Sequence, residues 1–341
     1  MMTLAIPFTS KFLLNSYTPI RLLILIGVSS DHHFHYGYFV YTAAVIGYLN
    51  PDWVSQGTNK AWVNMLVRDY ANSITNDPYF PMSRSFDMYH GHSWAHGLTE
   101  SQDGKDQESS SEDSNSLYAI KMWGRTINDT AMEARGNLLL AIQARSLQNY
   151  FLYQSNNTVE PPEIIPNKVS GVLFENKIDH TTYFGTNKEY IEGIHMLPLL
   201  PFSTLTRTKQ FVTEEWATYF TNYAATVTGG WKGILYANLA IIDPTTSYNF
   251  FSNSSFDYSF LDGGASRTWY LTWSAALGGS PGTASSAVVQ KRAEVGMHEE
   301  TPKASGNESG AQHPQHEARS AFGRFMHHVV GRPEKKAYRL S

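Results

Sequence analysis

We predict the fold first from one stretch of the sequence, Asp103-Gly-Lys-Asp-Gln-Glu-Ser-Ser-Ser-Glu-Asp-Ser-Asn115, and from the apolar run that follows it. Ser109 and Glu112 stand at the spacing of a capping box, in which a hydroxyl and a carboxylate satisfy backbone N–H groups at a helix start. Ile120, Trp123 and Ile127 then recur at helical spacing. The stretch therefore predicts a helix that begins beside a cluster of carboxylates.

Helical signals recur along the chain between loops rich in Gly, Pro, Asn and Ser. The most complete signal starts behind Thr213 and stops at Gly229-Gly230, with the apolar stripe Trp216, Phe220, Tyr223 and Val227. Further helices are predicted over Phe39–Leu49, Ala61–Ala71 and Trp231–Ile241, along Leu140, Ala144, Leu147 and Phe151, and from Trp269 through Trp273 to Leu277. Few windows alternate with period two, so we expect an all-α fold, either a bundle or a toroid.

The composition divides the chain into three parts. Residues 31–279 are uniform and predict one helical domain. Residues 280–341 are rich in Ser, Gly, Pro, Glu, Lys and His with little periodicity, which predicts a disordered tail. Residues 1–30 form an atypical N-terminal segment in which the apolar run Leu22–Val28 is too short to span a membrane. A degenerate signal peptide is an alternative interpretation of that run.

Charge and cysteine content exclude several classes of function. The 26 Lys and Arg residues are balanced by 30 Asp and Glu residues, and the first 280 residues contain no basic stripe, so we expect no nucleic-acid partner. The sequence has no cysteine, which excludes disulfides, thiol catalysis and Cys-ligated zinc. The 13% aromatic content supplies flat faces that pack in a core or lie under a sugar ring.

A second polar cluster, Asp31-His-His-Phe-His-Tyr-Gly-Tyr38, places a carboxylate beside three imidazoles and two phenols. One interpretation is an acid whose pKa is set by its neighbours. Another is an N-cap, with Asp31 opening the helix that follows. A third is a divalent metal site, whose ligands are His33, His35, His90 and His92.

A glycosidase needs two carboxyl groups at the scissile bond, one protonated and one ionised. Asp31 and the pair Glu108 and Glu112 are the candidates in this sequence, although most charge runs are simply solvated. If the acidic stretch were helical throughout, the two glutamates would share a face and their repulsion would raise the pKa of one of them. His92 and Trp94 stand nearby in the sequence and suit a glycan cleft, where an indole stacks on a pyranose.

Three blocks of the sequence resemble glycoside hydrolase family 81, namely Asp31–Tyr38, Gly91-His-Ser-Trp-Ala95 and Asp103–Asn115. A later block, Glu189-Tyr-Ile-Glu-Gly-Ile-His-Met-Leu-Pro-Leu-Leu-Pro201, is also similar to that family. The resemblance covers roughly Asp31 to Gly279. It implies an (α/α)6 toroid and cleavage of internal β-1,3-glucosidic bonds with inversion.

The resemblance also implies roles for individual residues. The residue matching Asp31 is the general acid, the one matching Glu112 is the general base, and Glu108 has a supporting role. Inversion requires carboxyl groups roughly 6.5–9.5 Å apart. We expect no cofactor and no metal. The predicted substrate-binding residues are His35, Tyr38, His92, Trp94, Asp103 and Lys105.

This sequence departs from the family in one respect, because family members carry a β-sandwich domain and further toroid helices before the segment that matches Asp31. We therefore expect an incomplete toroid and an isolated chain that is weakly active or inactive. The alternative functions are a non-catalytic β-glucan-binding protein or inactive truncated fragment, and a helical-toroid glycosidase that acts on a different glucan. Asn-x-Ser/Thr acceptors at Asn128, Asn156, Asn253 and Asn307 are compatible with secretion, and we expect an extracellular or cell-wall location.

Overall fold

The computed structural model describes residues 31–99 and 103–280, and that part of the chain is mostly helical. Its α-helices are α1 (His32–Leu49), α2 (Pro51–Ser55), α3 (Asn59–Ala71), α4 (Ser110–Thr126), α5 (Thr130–Tyr150), α6 (Lys188–Gly193), α7 (Ser203–Thr206), α8 (Lys209–Glu215), α9 (Gly230–Leu239), α10 (Pro244–Ser252) and α11 (Arg267–Ala276). Short 3₁₀ helices cover Ile165–Asn167 and Tyr258–Phe260. The predicted all-α class is confirmed.

Within the described residues, five short strands form two small antiparallel sheets in the long connections. Strands β1 (Phe86–Asp87) and β2 (His92–Ser93) pair with each other. Strand β3 (Asp106–Gln107) pairs with β4 (Val172–Phe174), which pairs in turn with β5 (Ile178–Asp179). Because only Glu108 and Ser109 separate β3 from α4, this pairing fixes the chain as it enters that helix.

Helix α4 packs between α1 and α5, and glycines allow the close approach on both sides. A Cβ at Gly37 would lie 3.0 Å from the Ser116 Cα, and a Cβ at Gly136 would lie 2.5 Å from the Lys121 backbone nitrogen. Neither contact leaves room for a larger residue. The start of α1 and the start of α4 therefore belong to one tightly packed unit.

The main hydrophobic core lies among α5, α6 and the helices from α8 to α11. It is built from fully buried aromatic and aliphatic side chains, including Leu147, Phe151, Phe211, Phe220, Leu235, Phe251 and Trp273. Burial of each such side chain stabilises the fold by about 2 kcal/mol. This core supports the segment that packs against the start of α4.

The predicted helices are present, with two differences in their limits. Helix α1 begins at His32 rather than Phe39, so the polar cluster Asp31–Tyr38 forms its first two turns. The prediction of one continuous helix from Thr213 to Val227 was wrong. Helix α8 starts at Lys209, where the Thr208 hydroxyl accepts from the Phe211 N–H, and it passes into a π-turn over Trp216–Phe220.

The physical reason is that the apolar stripe reports burial and not helical continuity. Phe220 and Val227 are both buried in the core, as the spacing predicted. However, the Thr221 N–H and hydroxyl both bond the Trp216 carbonyl, which widens the last turn and ends the helix. Among the described residues, no helix is long and apolar enough to cross a membrane. The predictions for residues 1–30 and 281–341 fall outside the described residues.

Candidate active site

The start of α4 carries the first candidate carboxylate. Ser109 is the N-cap and its side chain accepts from the Glu112 N–H at 3.2 Å, so this half of the predicted capping box is confirmed. The Glu112 carboxylate accepts a 2.9 Å hydrogen bond from the Tyr38 hydroxyl of α1. The two helices are thus joined at the point where the acidic cluster begins.

The serines at this helix start are anchored to the segment 194–197. The Ser109 hydroxyl donates to the Ile194 carbonyl at 2.7 Å, and the Ser111 hydroxyl donates to the Leu197 carbonyl. The Ser110 hydroxyl lies 2.9 Å from Nδ1 of the buried His195. These contacts hold the first turn of α4, and therefore Glu112, in a fixed position.

A buried ion pair lies behind that segment. The Arg207 guanidinium donates to the Glu215 carboxylate, to the Asn238 side chain and to the His195 carbonyl. All four residues are buried. The pair is fully hydrogen-bonded on the arginine side, which is the arrangement that makes a buried charge tolerable.

Burial raises the pKa of Glu112 to about 7. The hydrogen bonds from Tyr38 and Ser109 act in the opposite direction, because they stabilise the ionised form. The negative charges of Asp31 and Glu108 raise the pKa further. Glu112 therefore changes its charge near neutral pH.

Glu108 lies just before the N-cap and not in α4, so the predicted shared helix face does not form. Its Oε1 accepts a 2.9 Å hydrogen bond from the Tyr183 N–H. Burial raises the pKa of Glu108, and this backbone hydrogen bond partly opposes the effect. The nearby charges of Asp31 and Asp106 add to the increase.

Asp31 stands immediately before α1 with φ of 58°, a left-handed conformation that Asp adopts more readily than most residues. Its N–H donates to the Ala95 carbonyl at 2.9 Å, which joins it to the Gly91–Ala95 block. Its side chain makes no capping hydrogen bond to α1. Its charge acts on both Glu108 and Glu112, so the structure brings the three predicted catalytic carboxylates together.

The six predicted substrate-binding residues fall into three groups. His35 is exposed near Asp31, and Tyr38 contacts Glu112. Asp103 and Lys105 lie at the surface, where they pair with Lys177 and Glu175. His92 and Trp94 are 1% and 2% exposed, with ring centres 4.5 Å apart. This arrangement places them beneath the site and not at its surface. The substrate-binding role of all six stays a prediction.

Buried histidines account for much of the polar cluster. Burial lowers the pKa of His92 to about 4, and its Nδ1 bonds the Ser93 carbonyl. Burial also lowers the pKa of His33, which lies 3.9 Å from the Asp113 carboxylate. Within residues 31–99 and 103–280, no three His, Asp or Glu side chains converge in a way that could hold a metal ion.

Sequence reasoning missed two residues at this site, Asp106 and Tyr183. The Tyr183 hydroxyl donates to Asp106 Oδ2 at 2.6 Å, and the other oxygen of this buried carboxylate lies 2.6 Å from His96 Nδ1. Asp106 stood in the acidic stretch and could have been singled out. Tyr183 carried no signal, because it is brought to the site by pairing of β3 with β4 and β5.

Residues 26–271 match the family model described as the glycosyl hydrolase family 81 C-terminal domain. The chain is 63% identical over 250 residues to a glucan endo-1,3-β-D-glucosidase of Arthroderma benhamiae, covering 72% of this chain and 27% of the relative. It is 55% identical to the primary septum glucan endo-1,3-β-D-glucosidase of Schizosaccharomyces pombe, covering 73% of this chain and 24% of that protein. The chain thus spans about a quarter of the length of these relatives.

A solved structure gives the same assignment. A mutant of a glycoside hydrolase family 81 protein from Clostridium thermocellum matches with a TM-score of 0.64 and 29% identity. The match covers 73% of this chain and 34% of the other. The predicted helical-toroid class is therefore confirmed alongside the helical content. With the family model covering most of the described residues, the chain belongs to glycoside hydrolase family 81.

Proposed function

We propose that this chain carries the catalytic site for hydrolysis of internal β-1,3-glucosidic bonds of β-glucan, with weak turnover by the isolated chain. The observation that carries the proposal is the convergence of Asp31, Glu108 and Glu112 where α1 and α4 begin. Two carboxyl groups of different protonation are what glycoside hydrolysis requires. The names of the relatives, which are glucan endo-1,3-β-D-glucosidases, support the choice of substrate.

In the proposed mechanism Asp31 protonates the leaving glycosidic oxygen, and Glu112 removes a proton from the attacking water. The Tyr38 hydroxyl orients the Glu112 carboxylate and stabilises its ionised form. Glu108 precedes the N-cap residue Ser109 in the chain. It accepts a hydrogen bond from the Tyr183 N–H and has a supporting role in the site. The reaction inverts the anomeric configuration, because water and not an enzyme carboxylate attacks the sugar.

The raised pKa of Glu112 gives this assignment a clear pH dependence. A base must be ionised, so with a pKa of about 7 the rate falls as the pH drops below neutrality. If Glu112 were instead the acid, the rate would fall as the pH rises through the same value. The direction of the pH limb therefore distinguishes the two assignments.

The test is release of reducing ends from laminarin by the purified chain and by Asp31→Asn and Glu112→Gln variants. We expect each substitution to lower kcat by a factor of about 100 or more. Glu133→Gln is the matched control, because Glu133 lies on α5 in a pair with Arg125 and we assign it no role in catalysis. A proton NMR spectrum of the first product gives the anomeric configuration. Full activity in either catalytic variant would refute the assignment.

One other function kept open by the sequence is glucan binding without turnover. Binding of laminarin by the wild-type chain with no release of reducing ends would support it. We also propose that the protein acts outside the cell or in the cell wall, which is supported by the septum named for the Schizosaccharomyces pombe relative. Detection of the protein in washed cell walls or culture medium tests that location.

A further inference from the structure

Beside the carboxylates lies a group of aromatic residues whose rings the proposed reaction does not use. Tyr183 and Phe184 are 62% and 52% exposed. Phe184 stacks on Trp231 with ring centres 5.9 Å apart and planes 19° apart, and Tyr190 lies against both rings. We call Tyr183, Phe184, Tyr190 and Trp231 the aromatic platform.

The platform is held rigidly. The buried Thr182 hydroxyl donates to the Gly185 carbonyl at 2.8 Å and lies 3.1 Å from the Gly185 N–H, which fixes the turn that presents Tyr183 and Phe184. Trp231 packs directly on Gly193, where an added Cβ would lie 2.6 Å from the indole ring. Apolar surface that is exposed to water is unfavourable, and a ligand that covers it gains free energy. Tyr183 and Phe184 are fixed in place and remain exposed, while Tyr190 and Trp231 are half-buried behind them.

The platform is continuous with the catalytic carboxylates. The Tyr183 N–H donates to Glu108, and the Tyr183 hydroxyl donates to Asp106. A ligand that leaves the carboxylates on this side therefore meets the platform next. Asn187 and Lys188 follow Phe184 closely in the chain, are exposed, and offer hydrogen-bond donors and acceptors.

We propose that the aromatic platform binds pyranose rings of the glucan chain beyond the cleaved bond. A pyranose presents C–H groups on its faces and hydroxyls around its edge. Flat aromatic surfaces next to polar side chains are complementary to that pattern, since the rings cover the C–H faces while the polar groups bond the hydroxyls. The inference rests on the proposed function, because the occupant is the same glucan chain that the carboxylates cleave.

The experiment measures laminarin binding by isothermal titration calorimetry with wild-type, Phe184→Ala and Trp231→Ala proteins. Each truncation is expected to weaken binding by about tenfold. Trp62→Ala is the control, because Trp62 is 52% exposed, as Phe184 is, but lies on α3. That control is expected to bind like the wild type. Thermal melts establish that each variant is folded, and Phe184→Ala keeps the test open if Trp231→Ala fails to fold.

The outcomes separate the platform from the proposed reaction. Weakened binding in Phe184→Ala with an unaffected Trp62→Ala supports the platform, whether or not the wild type releases reducing ends. Wild-type affinity in both platform variants overturns it, even if hydrolysis is observed. A wild-type chain that binds laminarin without hydrolysing it contradicts the reaction alone, and one that does not bind laminarin overturns both.

Discussion

Replacing Tyr38 by Phe removes a single hydroxyl at a position where two opposing effects set the charge of Glu112. Burial raises the pKa of Glu112, and the 2.9 Å hydrogen bond from Tyr38 lowers it, with a net value of about 7. The phenyl ring keeps the volume of the side chain. The substitution therefore removes the lowering effect and leaves the burial in place.

The size of the effect follows from the strength of the hydrogen bond. A hydrogen bond to a charged group contributes about 1.5–3 kcal/mol, and each pKa unit corresponds to about 1.4 kcal/mol. Tyr38→Phe should therefore raise the pKa of Glu112 by roughly one to two units. At a pH well below 7 the ionised fraction of Glu112 then falls by a factor of about 10 to 100.

The assay is the pH profile of kcat/KM for laminarin, measured from acid to alkaline pH. With Glu112 as the base, the acid limb should move upward by about one to two pH units. Tyr41→Phe is the control, because it removes a hydroxyl one turn further along α1, beside Tyr118 and not Glu112. An acid limb that stays in place would refute the role of Tyr38. Movement of the alkaline limb instead would mean that Glu112 acts as the acid.

Three further predictions concern stability. Glu112 is protonated more readily in the folded chain than in the unfolded chain, with pKa values of about 7 and 4.5, so its ionisation costs stability as the pH rises from 4.5 to 7. We therefore expect Glu112→Gln to melt at a higher temperature than the wild type at pH 8, with a free energy of unfolding larger by at most about 3 kcal/mol. At pH 4 the two proteins should melt at the same temperature. A pH-independent difference in melting temperature would contradict this. Arg207→Met should destabilise the fold by about 3–5 kcal/mol in urea titrations, because it leaves the buried Glu215 without a cationic partner, whereas Lys177→Met at the exposed pairs with Asp103 and Asp179 should leave the urea midpoint nearly unchanged. Gly136→Ala should lower the melting temperature through a clash equivalent to about 1–3 kcal/mol, while Gly263→Ala, with open space around it, should leave it unchanged; equal melting temperatures would show that α4 and α5 can separate at no cost.

The parts of the site that depend on neighbours in sequence could be predicted. The Ser109 cap needs only its own helix, and its spacing to Glu112 was readable directly. The stripe through Ile120 and Trp123 likewise marked residues that are fully buried in α4. These features depend on a few consecutive residues, so no knowledge of the distant chain was required.

The parts that depend on distant segments could not be predicted from local patterns. Tyr183 reaches Glu108 from 75 positions away, and Tyr38 reaches Glu112 from 74 positions away. His92 and Trp94 looked like residues of an open cleft, but packing buries both. Aromatic and imidazole side chains suit a core and a sugar site equally well, and only the tertiary structure decides between them.

The buried ionisable groups of this domain act in opposite directions on its stability, and this bears on how the site can keep a carboxylate with a raised pKa. Burial raises the pKa of Glu112 to about 7 and that of Asp113 to about 6. The fold therefore becomes more stable as the pH falls toward 4 and these two groups take up protons. Burial lowers the pKa of His92 to about 4 and that of His195 to about 3. The fold therefore becomes less stable as the pH falls below 6.5, because these two imidazoles bind protons more readily in the unfolded chain. Each of the four shifts exceeds two pKa units, equivalent to about 3 kcal/mol or more. Because the two sets titrate over overlapping ranges with opposite signs, they offset each other between roughly pH 4 and 7. Among these four groups, the pH dependence that Glu112 and Asp113 add to the stability of the fold is therefore opposed by that of His92 and His195.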